Sequence, residues 1–180
     1  KIDETCYQAD KILLATGGWP FVPDFPGSEY AITSNEVFDL ASFPESILIV
    51  GGGYIAVEFA GVFAGLGAKT TLSYRRELLL RSFDKDLREK FTTELQRHVD
   101  VRLSSEIIEI RETNSGARQV KYSDGSKEPY DCVLYATGRK PRTEDLGLEN
   151  TQVNVNSGGF IEIGENFQTA APSIYALGDV

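Results

Sequence analysis

Residues 47–81 constrain the fold of this chain more than any other stretch. Residues 47–50 form the apolar run ILIV, which is typical of a buried parallel strand. Residues 51–56 follow as GGGYIA, with the spacing G-x-G-x-x-A, and an almost wholly apolar segment then runs to Gly67. A strand, a glycine turn and a helix start in this order are the fingerprint of a dinucleotide-binding unit.

The small residues of this fingerprint have separate physical tasks. Gly51 permits a tight turn, and Gly53 lets a pyrophosphate approach bare backbone. Ala56 allows the helix and the strand to pack closely. The sequence therefore predicts a pyrophosphate site against the unpaired N–H groups and the positive end of the helix dipole.

Arginines follow the second apolar segment of the unit, residues 70–74. Arg75 and Arg76 come directly after Tyr74, and Arg81 lies just beyond. An NAD site carries an acid here for the ribose 2′-hydroxyl, whereas guanidinium groups bind a 2′-phosphate bidentately. The pattern predicts NADPH rather than NADH, and the alternative interpretation is a solvated basic turn.

Composition narrows the class of partner. The chain has 180 residues and a net charge of −9, which argues against nucleic acid as a partner. No run approaches the roughly eighteen consecutive apolar residues that a membrane span needs, so we expect no membrane association. The arginine cluster is therefore a local positive site on an acidic protein.

Cysteine and histidine usage limits the catalytic chemistry. Cys6 and Cys132 lie far apart, in neither a C-x-x-C nor a C-x₄-C arrangement, so we predict no metal site and no redox pair. Cys132 sits in a strand-like run and is interpreted as a buried structural thiol. His98 is the sole histidine, and no Ser-His-Asp or Cys-His system can be assembled. We therefore expect no catalytic residue within the chain.

The remaining patterns complete an α/β fold. Asp84 caps a predicted helix from residue 85 to about 97, whose apolar side carries Leu87, Phe91 and Leu95. Residues 106–130 alternate around two turns and predict an antiparallel β-meander. A buried strand at 132–136 follows. The predicted fold class is a Rossmann-like, three-layer NAD(P)-binding domain with a parallel sheet and an antiparallel β-meander.

Five motifs together resemble the flavoprotein disulfide reductases, most of all the glutathione reductases. They are ILLATGG (12–18), GGGYIAVEFAG (51–61), YRRELLLRSFD (74–84), YATGRKP (135–141) and IYALGD (174–179). Trypanothione reductases are similar through the same segments. Dihydrolipoamide dehydrogenases fit less well, since an acid is expected where Tyr74 stands.

The resemblance implies roles for two groups of residues. The NADPH contacts it implies are Gly51, Gly52, Gly53 and Ile55 for the pyrophosphate and adenosine, Arg75, Arg81 and Arg76 for the 2′-phosphate, and Gly138 and Arg139 beside the nicotinamide half. The flavin-side residues it implies are Tyr54, which shields the flavin, Glu58, which pairs with a lysine beside it, and Asp179, which bonds the ribityl chain.

Glu58 also stands out without the resemblance, as a single charge among apolar helix neighbours. An unpaired buried carboxylate is costly, so such a charge is usually paired or functional; we predict that Glu58 points towards the nicotinamide and flavin and is therefore exposed in this chain, on the same helix face as Tyr54. The alternative is a plain helix-start acid that faces solvent.

The resemblance further implies that the chain is a fragment. An N-terminal FAD fingerprint, a C-x₄-C redox pair and a C-terminal dimer domain are missing from the sequence. We expect residues 1–17 to be a tail of flavin-domain sequence, 18–141 the NADPH-binding domain, and 142–180 a return segment to the flavin domain.

The expected parent is a cytoplasmic homodimer that contains FAD and reduces glutathione disulfide with NADPH. The alternatives are a trypanothione reductase or another NADPH-flavoprotein reductase. The isolated chain is expected to bind the nucleotide without turnover.

Overall fold

The computed structural model describes residues 5–180, which form two compact units. The larger unit is Pro20–Gly138, and the smaller combines the segments 5–19 and 139–180. Residues 1–4, the start of the expected flavin-domain tail, lie outside the described residues. The assignment of 1–17 and 142–180 to a flavin domain stays a prediction.

The described residues contain eleven strands and two α-helices. The strands are β1 (Ile12–Leu14), β2 (Gly18–Pro20), β3 (Ser46–Val50), β4 (Lys69–Tyr74), β5 (Asp100–Leu103), β6 (Ile107–Glu112), β7 (Arg118–Tyr122), β8 (Lys127–Tyr130), β9 (Cys132–Tyr135), β10 (Arg139–Pro141) and β11 (Ile174–Ala176). The helices are α1 (Tyr54–Gly65) and α2 (Lys85–Leu95), and short 3₁₀ turns occur at Ser28–Tyr30, Glu36–Asp39 and Leu148–Asn150.

A parallel four-stranded sheet with the order β5-β4-β3-β9 organises the larger unit. The chain builds outward from β3 to β4 and β5, then returns to the other side of β3 as β9. The strand order therefore reverses between β3 and β9. In open α/β sheets, ligands bind outside the carboxyl ends of the strands at such a reversal.

The two faces of β3 have different cover because successive side chains alternate across a sheet. Ile47 and Ile49 are buried among residues of α1, including Ala56 and Phe63. Leu48 and Val50 are buried on the opposite face with residues of the meander β6-β7-β8. The helices, the parallel sheet and the antiparallel meander thus form three layers, and the predicted fold class is confirmed.

Helix α2 buries a slightly different face from the one that the apolar spacing predicts. The Asp84 carboxylate caps it as predicted, accepting a hydrogen bond from the Asp86 N–H at 3.0 Å. Phe91 and Leu95 pack against the core, but Leu87 is half exposed and Thr92 is buried in its place. The spacing of four drifts around a helix of 3.6 residues per turn, so the first predicted core residue leaves the interface.

The smaller unit has its own apolar cluster. Its strands β1 and β11 pair in parallel, with Leu13 opposite Tyr175. The buried residues are Leu148, Val153, Ile161, Ala171, Ala176 and Val180.

Candidate nucleotide-binding site

The glycine turn begins at Gly51, immediately after β3. The Gly51 N–H donates to the Ser73 carbonyl of β4 at 2.9 Å. The residue has a φ of +144°, and a Cβ added there would lie 2.3 Å from the Ala136 carbonyl oxygen. Both the backbone conformation and the close approach of β9 therefore require glycine.

Gly52 connects this turn to the loop that follows β4. A Cβ at Gly52 would lie 2.6 Å from the aromatic ring of Tyr74, so the ring is packed against bare backbone. The Gly52 carbonyl accepts a hydrogen bond from the Leu80 N–H at 2.7 Å. The segment after Tyr74 is thus attached directly to the glycine turn.

The start of α1 is uncapped and open. Gly53 is the N-cap residue, with extended backbone and no side-chain cap, and no acid occupies the first turn. A Cβ at Gly53 would meet nothing within 4 Å. The first-turn N–H groups, which include those of Ile55 and Ala56, have no intrahelical acceptor, and the helix dipole favours an anion beside them.

Arg75 and Arg76 directly follow β4, and Arg81 follows Leu80, whose N–H is bonded to the glycine turn. Arg75, Arg76 and Arg81 are all exposed. Within residues 5–180, none of their guanidinium groups makes a hydrogen bond or an ion pair. Arg102 and Arg118, by contrast, pair with acids. Three free guanidinium groups on an acidic chain are suited to a dianionic phosphate.

Tyr54 and Glu58 share one face of α1. Tyr54 is 58% exposed, and Glu58, four residues later, is exposed as well. The predicted exposure of Glu58 is confirmed, while its role toward a flavin stays a prediction.

Gly138 lies at the same sheet edge as Gly51, beyond the end of β9. The Ala136 N–H donates to the Val50 carbonyl at 2.8 Å, which aligns the two strand ends. The Thr137 hydroxyl donates to the Phe21 carbonyl at 2.8 Å, and the Gly138 carbonyl accepts from the Phe21 N–H at 3.0 Å.

The structure does not bring the whole predicted set into one unit. Arg139 and Asp179 belong to the smaller unit. The Arg139 guanidinium donates to the Gly18 carbonyl, and Asp179 is exposed beyond β11. The other eleven predicted residues lie in the larger unit, within the glycine turn, α1, the arginine segment and the end of β9.

Sequence reasoning missed Arg88, the residue that holds the arginine segment from α2. Its Nε donates to the Leu79 carbonyl at 2.7 Å, and its Nη2 donates to the Leu78 carbonyl at 3.0 Å. On a helix with many charges, no pattern distinguishes this arginine from a solvated one.

The described residues were also compared with the requirements of a metal site, a membrane-spanning helix and a reactive thiol. No group of three or more His, Cys, Asp or Glu residues there could hold a metal ion. No helix among residues 5–180 is long and apolar enough to cross a membrane. Cys132 is buried as predicted, and this burial raises the pKa of its thiol to about 11.

Comparison with known proteins gives a consistent family. Residues 2–180 match the family described as pyridine nucleotide-disulphide oxidoreductase. The chain is 42% identical over 179 residues to the chloroplastic/mitochondrial glutathione reductase of Pisum sativum, covering 99% of this chain and 32% of that protein. It is 43% identical over 173 residues to the glutathione reductase of Burkholderia cepacia, covering 96% and 38%.

A trypanothione reductase is almost as similar. The protein from Trypanosoma congolense is 41% identical over 177 residues, covering 96% of this chain and 36% of its own length. The chain thus spans about a third of each of these relatives.

A solved structure shares the fold. The HOCl-induced flavoprotein disulfide reductase RclA from Escherichia coli superposes with a TM-score of 0.87 at 33% identity, covering 94% of this chain and 39% of that one.

Proposed function

The chain belongs to the pyridine nucleotide-disulphide oxidoreductase family, and we propose that within it Pro20–Gly138 is the unit that binds NADPH. The glycine turn and the start of α1 receive the pyrophosphate. Arg75, Arg76 and Arg81 receive the 2′-phosphate of the adenosine ribose.

One observation carries this proposal: the three arginines are exposed and free of protein partners, and the segment that carries them is hydrogen-bonded at Leu80 to Gly52, beside the uncapped helix start. The two features fit two anionic groups of one molecule. Tyr74 fills the position at which an NAD site would carry an acid, so nothing at that position repels a 2′-phosphate. The free guanidinium groups supply the charge-assisted donors that such a phosphate needs.

The glycine turn fits the rest of the nucleotide. Gly53 leaves open space at the start of α1, and the uncapped N–H groups there need an acceptor. Gly138, at the same sheet edge, is placed beside the nicotinamide half in this proposal, and the same role is proposed for Arg139 from the family resemblance alone. When bound, the nucleotide supplies a hydride, and the role of these residues is to hold and orient it.

For the whole protein, we extend the proposal to NADPH-dependent reduction of glutathione disulfide by a cytoplasmic homodimer that contains FAD. The support is the similarity to glutathione reductases of two organisms. In this proposal, Tyr54 shields the flavin and Glu58 pairs with a lysine beside it, and a contact to the ribityl chain is proposed for Asp179 from the family resemblance alone.

Trypanothione disulfide is the alternative substrate, because a trypanothione reductase is nearly as similar as the glutathione reductases. Assaying the full-length protein with both disulfides decides between them. The chain by itself, without a redox cysteine pair, is proposed to bind the nucleotide without turnover.

The nucleotide assignment is tested by removing one guanidinium at a time. Arg75→Ala and Arg81→Ala should each weaken NADPH about tenfold, because a charge-assisted hydrogen bond contributes roughly 1.5–3 kcal/mol. NADH affinity should change little. Arg97→Ala is the control, since Arg97 pairs with Glu94 on the surface. Calorimetric titration measures all four proteins, and NADPH affinities unchanged in both cluster variants would overturn the assignment.

A further inference from the structure

The segment that carries the arginine cluster is held more firmly than a solvated turn requires. We call residues 75–83 the arginine loop. Leu79 is fully buried in its middle and Leu80 is nearly so, whereas the three arginines on either side are exposed. The two buried leucines therefore anchor the middle of the loop in the core. Their burial does not determine the direction of the exposed arginine side chains.

The backbone of the loop is unusual at Leu80. Its φ is +54°, in the left-handed region that residues with a Cβ rarely adopt. Its N–H donates to the Gly52 carbonyl at 2.7 Å, and its carbonyl accepts from the Phe83 N–H at 2.9 Å. A leucine keeps this conformation only where the surrounding contacts enforce it.

Arg88 supplies contacts that fix the peptide groups just before Leu80. Its Nε and Nη2 donate to the successive carbonyls of Leu79 and Leu78, at 2.7 and 3.0 Å. The two donors belong to one rigid, planar guanidinium group, so they fix the relative orientation of both peptide planes. A lysine, with a single flexible ammonium group, cannot do the same.

We propose that Arg88 is a positioning residue for nucleotide choice, which holds the arginine loop so that Arg81 and its neighbours select a ribose with a 2′-phosphate. This inference rests on the proposed function. Arg81 follows Leu80 directly, so the direction of its side chain depends on the backbone that Arg88 fixes. Because its Nε and Nη2 groups donate to the loop carbonyls, Arg88 affects the nucleotide through the loop.

The experiment uses the full-length protein and two small probes. Adenosine 2′,5′-bisphosphate carries the 2′-phosphate, whereas 5′-AMP lacks it, and neither probe depends on the nicotinamide or on catalysis. The variants are Arg88→Gln, Arg88→Lys and the control Arg97→Gln, which makes the same charge change just beyond the end of α2. Calorimetry gives the Kd of each probe for each protein.

Arg88→Gln should weaken the bisphosphate about fivefold or more while changing 5′-AMP less than about twofold. Arg88→Lys should weaken it as well, because charge without a fork does not orient two carbonyls. Arg97→Gln should leave both probes unchanged. If Arg88→Gln does not fold, the lysine variant carries the test.

Two outcomes overturn the positioning role. Unchanged bisphosphate binding in the Arg88 variants would show that the arginine loop does not need the two hydrogen bonds from Arg88. Equal weakening of both probes would show a general structural role. Failure of the proposed function looks different, because the wild-type protein would then bind the bisphosphate no more tightly than 5′-AMP.

Discussion

Gly51 and Gly53 lie two residues apart in the same turn, yet they differ in what a methyl group would meet. At Gly51 the methyl would collide with the Ala136 carbonyl just after β9, and the positive φ adds strain. At Gly53 the space is open and the backbone is ordinary. We predict that Gly51→Ala lowers the free energy of unfolding by about 1–3 kcal/mol, and Gly53→Ala by less than about 0.5 kcal/mol.

Denaturant unfolding measures both changes, and nucleotide titration separates folding from binding. Gly53→Ala should fold normally but bind NADPH more weakly, because its methyl group would stand beside the N–H groups that we propose as the pyrophosphate site. Wild-type affinity in this variant would mean that the pyrophosphate does not approach Gly53.

The two cysteines should differ in reactivity. Cys6 is exposed, whereas burial raises the pKa of the Cys132 thiol to about 11. Since the thiolate is the nucleophile, we expect Cys6 but not Cys132 to react with an aromatic disulfide reagent at pH 8 in the native protein. Cys132 should be labelled only in denaturant, and its rapid labelling in the native protein, located by mass spectrometry, would contradict its burial.

At the scale of elements, an ionic and tyrosine network ties the parallel sheet to the meander. Arg102 of β5 donates to both carboxylate oxygens of Glu128 on β8, at 2.9 and 2.8 Å. Glu128 also accepts from the Tyr130 hydroxyl at 2.8 Å, which lies 2.8 Å from the Tyr122 hydroxyl. The network therefore joins two layers of the fold.

This network makes stability depend on pH. Burial alone would raise the pKa of Glu128, but hydrogen bonds from Arg102 and Tyr130 outweigh it and hold the pKa below its usual value. Stability from Glu128 is thus complete above the unfolded-state pKa of about 4.3, and it is lost as pH falls through the folded-state pKa.

We therefore predict that Glu128→Gln lowers the Tm at pH 7 and that the difference from wild type shrinks below about pH 4. Glu112→Gln is the comparison, since Glu112 pairs with Arg118 within the meander alone. A difference in Tm that stays constant from pH 7 to pH 3 would contradict the role of the Glu128 carboxylate.

The three layers could be predicted from the sequence, because the spacing of apolar residues reflects which side of each strand or helix is buried. The ILIV run became β3, the alternating segment became the meander, and Asp84 caps α2. Leu87 failed because a spacing of four only approximates the helix period. The left-handed backbone of Leu80 and the hydrogen bonds from Arg88 to the loop could not be predicted, since both arise from contacts between segments and not from a local pattern.

Across the whole molecule, the parts of the candidate site that depend on contacts between distant segments could not be predicted either. The fingerprint and the arginines are adjacent along the chain, and the β3–β4 pairing predicts that they meet. Gly138 joins the site because β9 pairs with β3, and this strand order could not be predicted from the sequence motifs. Arg139 and Asp179 lie in the smaller unit, so their assignment to a common site rests on family resemblance.

The central claim is that an acidic protein presents three free guanidinium groups to a 2′-phosphate. NADPH and NADH differ only in that phosphate, so the ratio of their dissociation constants in the wild-type protein, measured by calorimetry at low and at physiological salt, is the most direct measurement. We predict that NADPH binds at least about tenfold more tightly, and that salt weakens NADPH binding more than NADH binding. Equal affinities for the two nucleotides at low salt would contradict it.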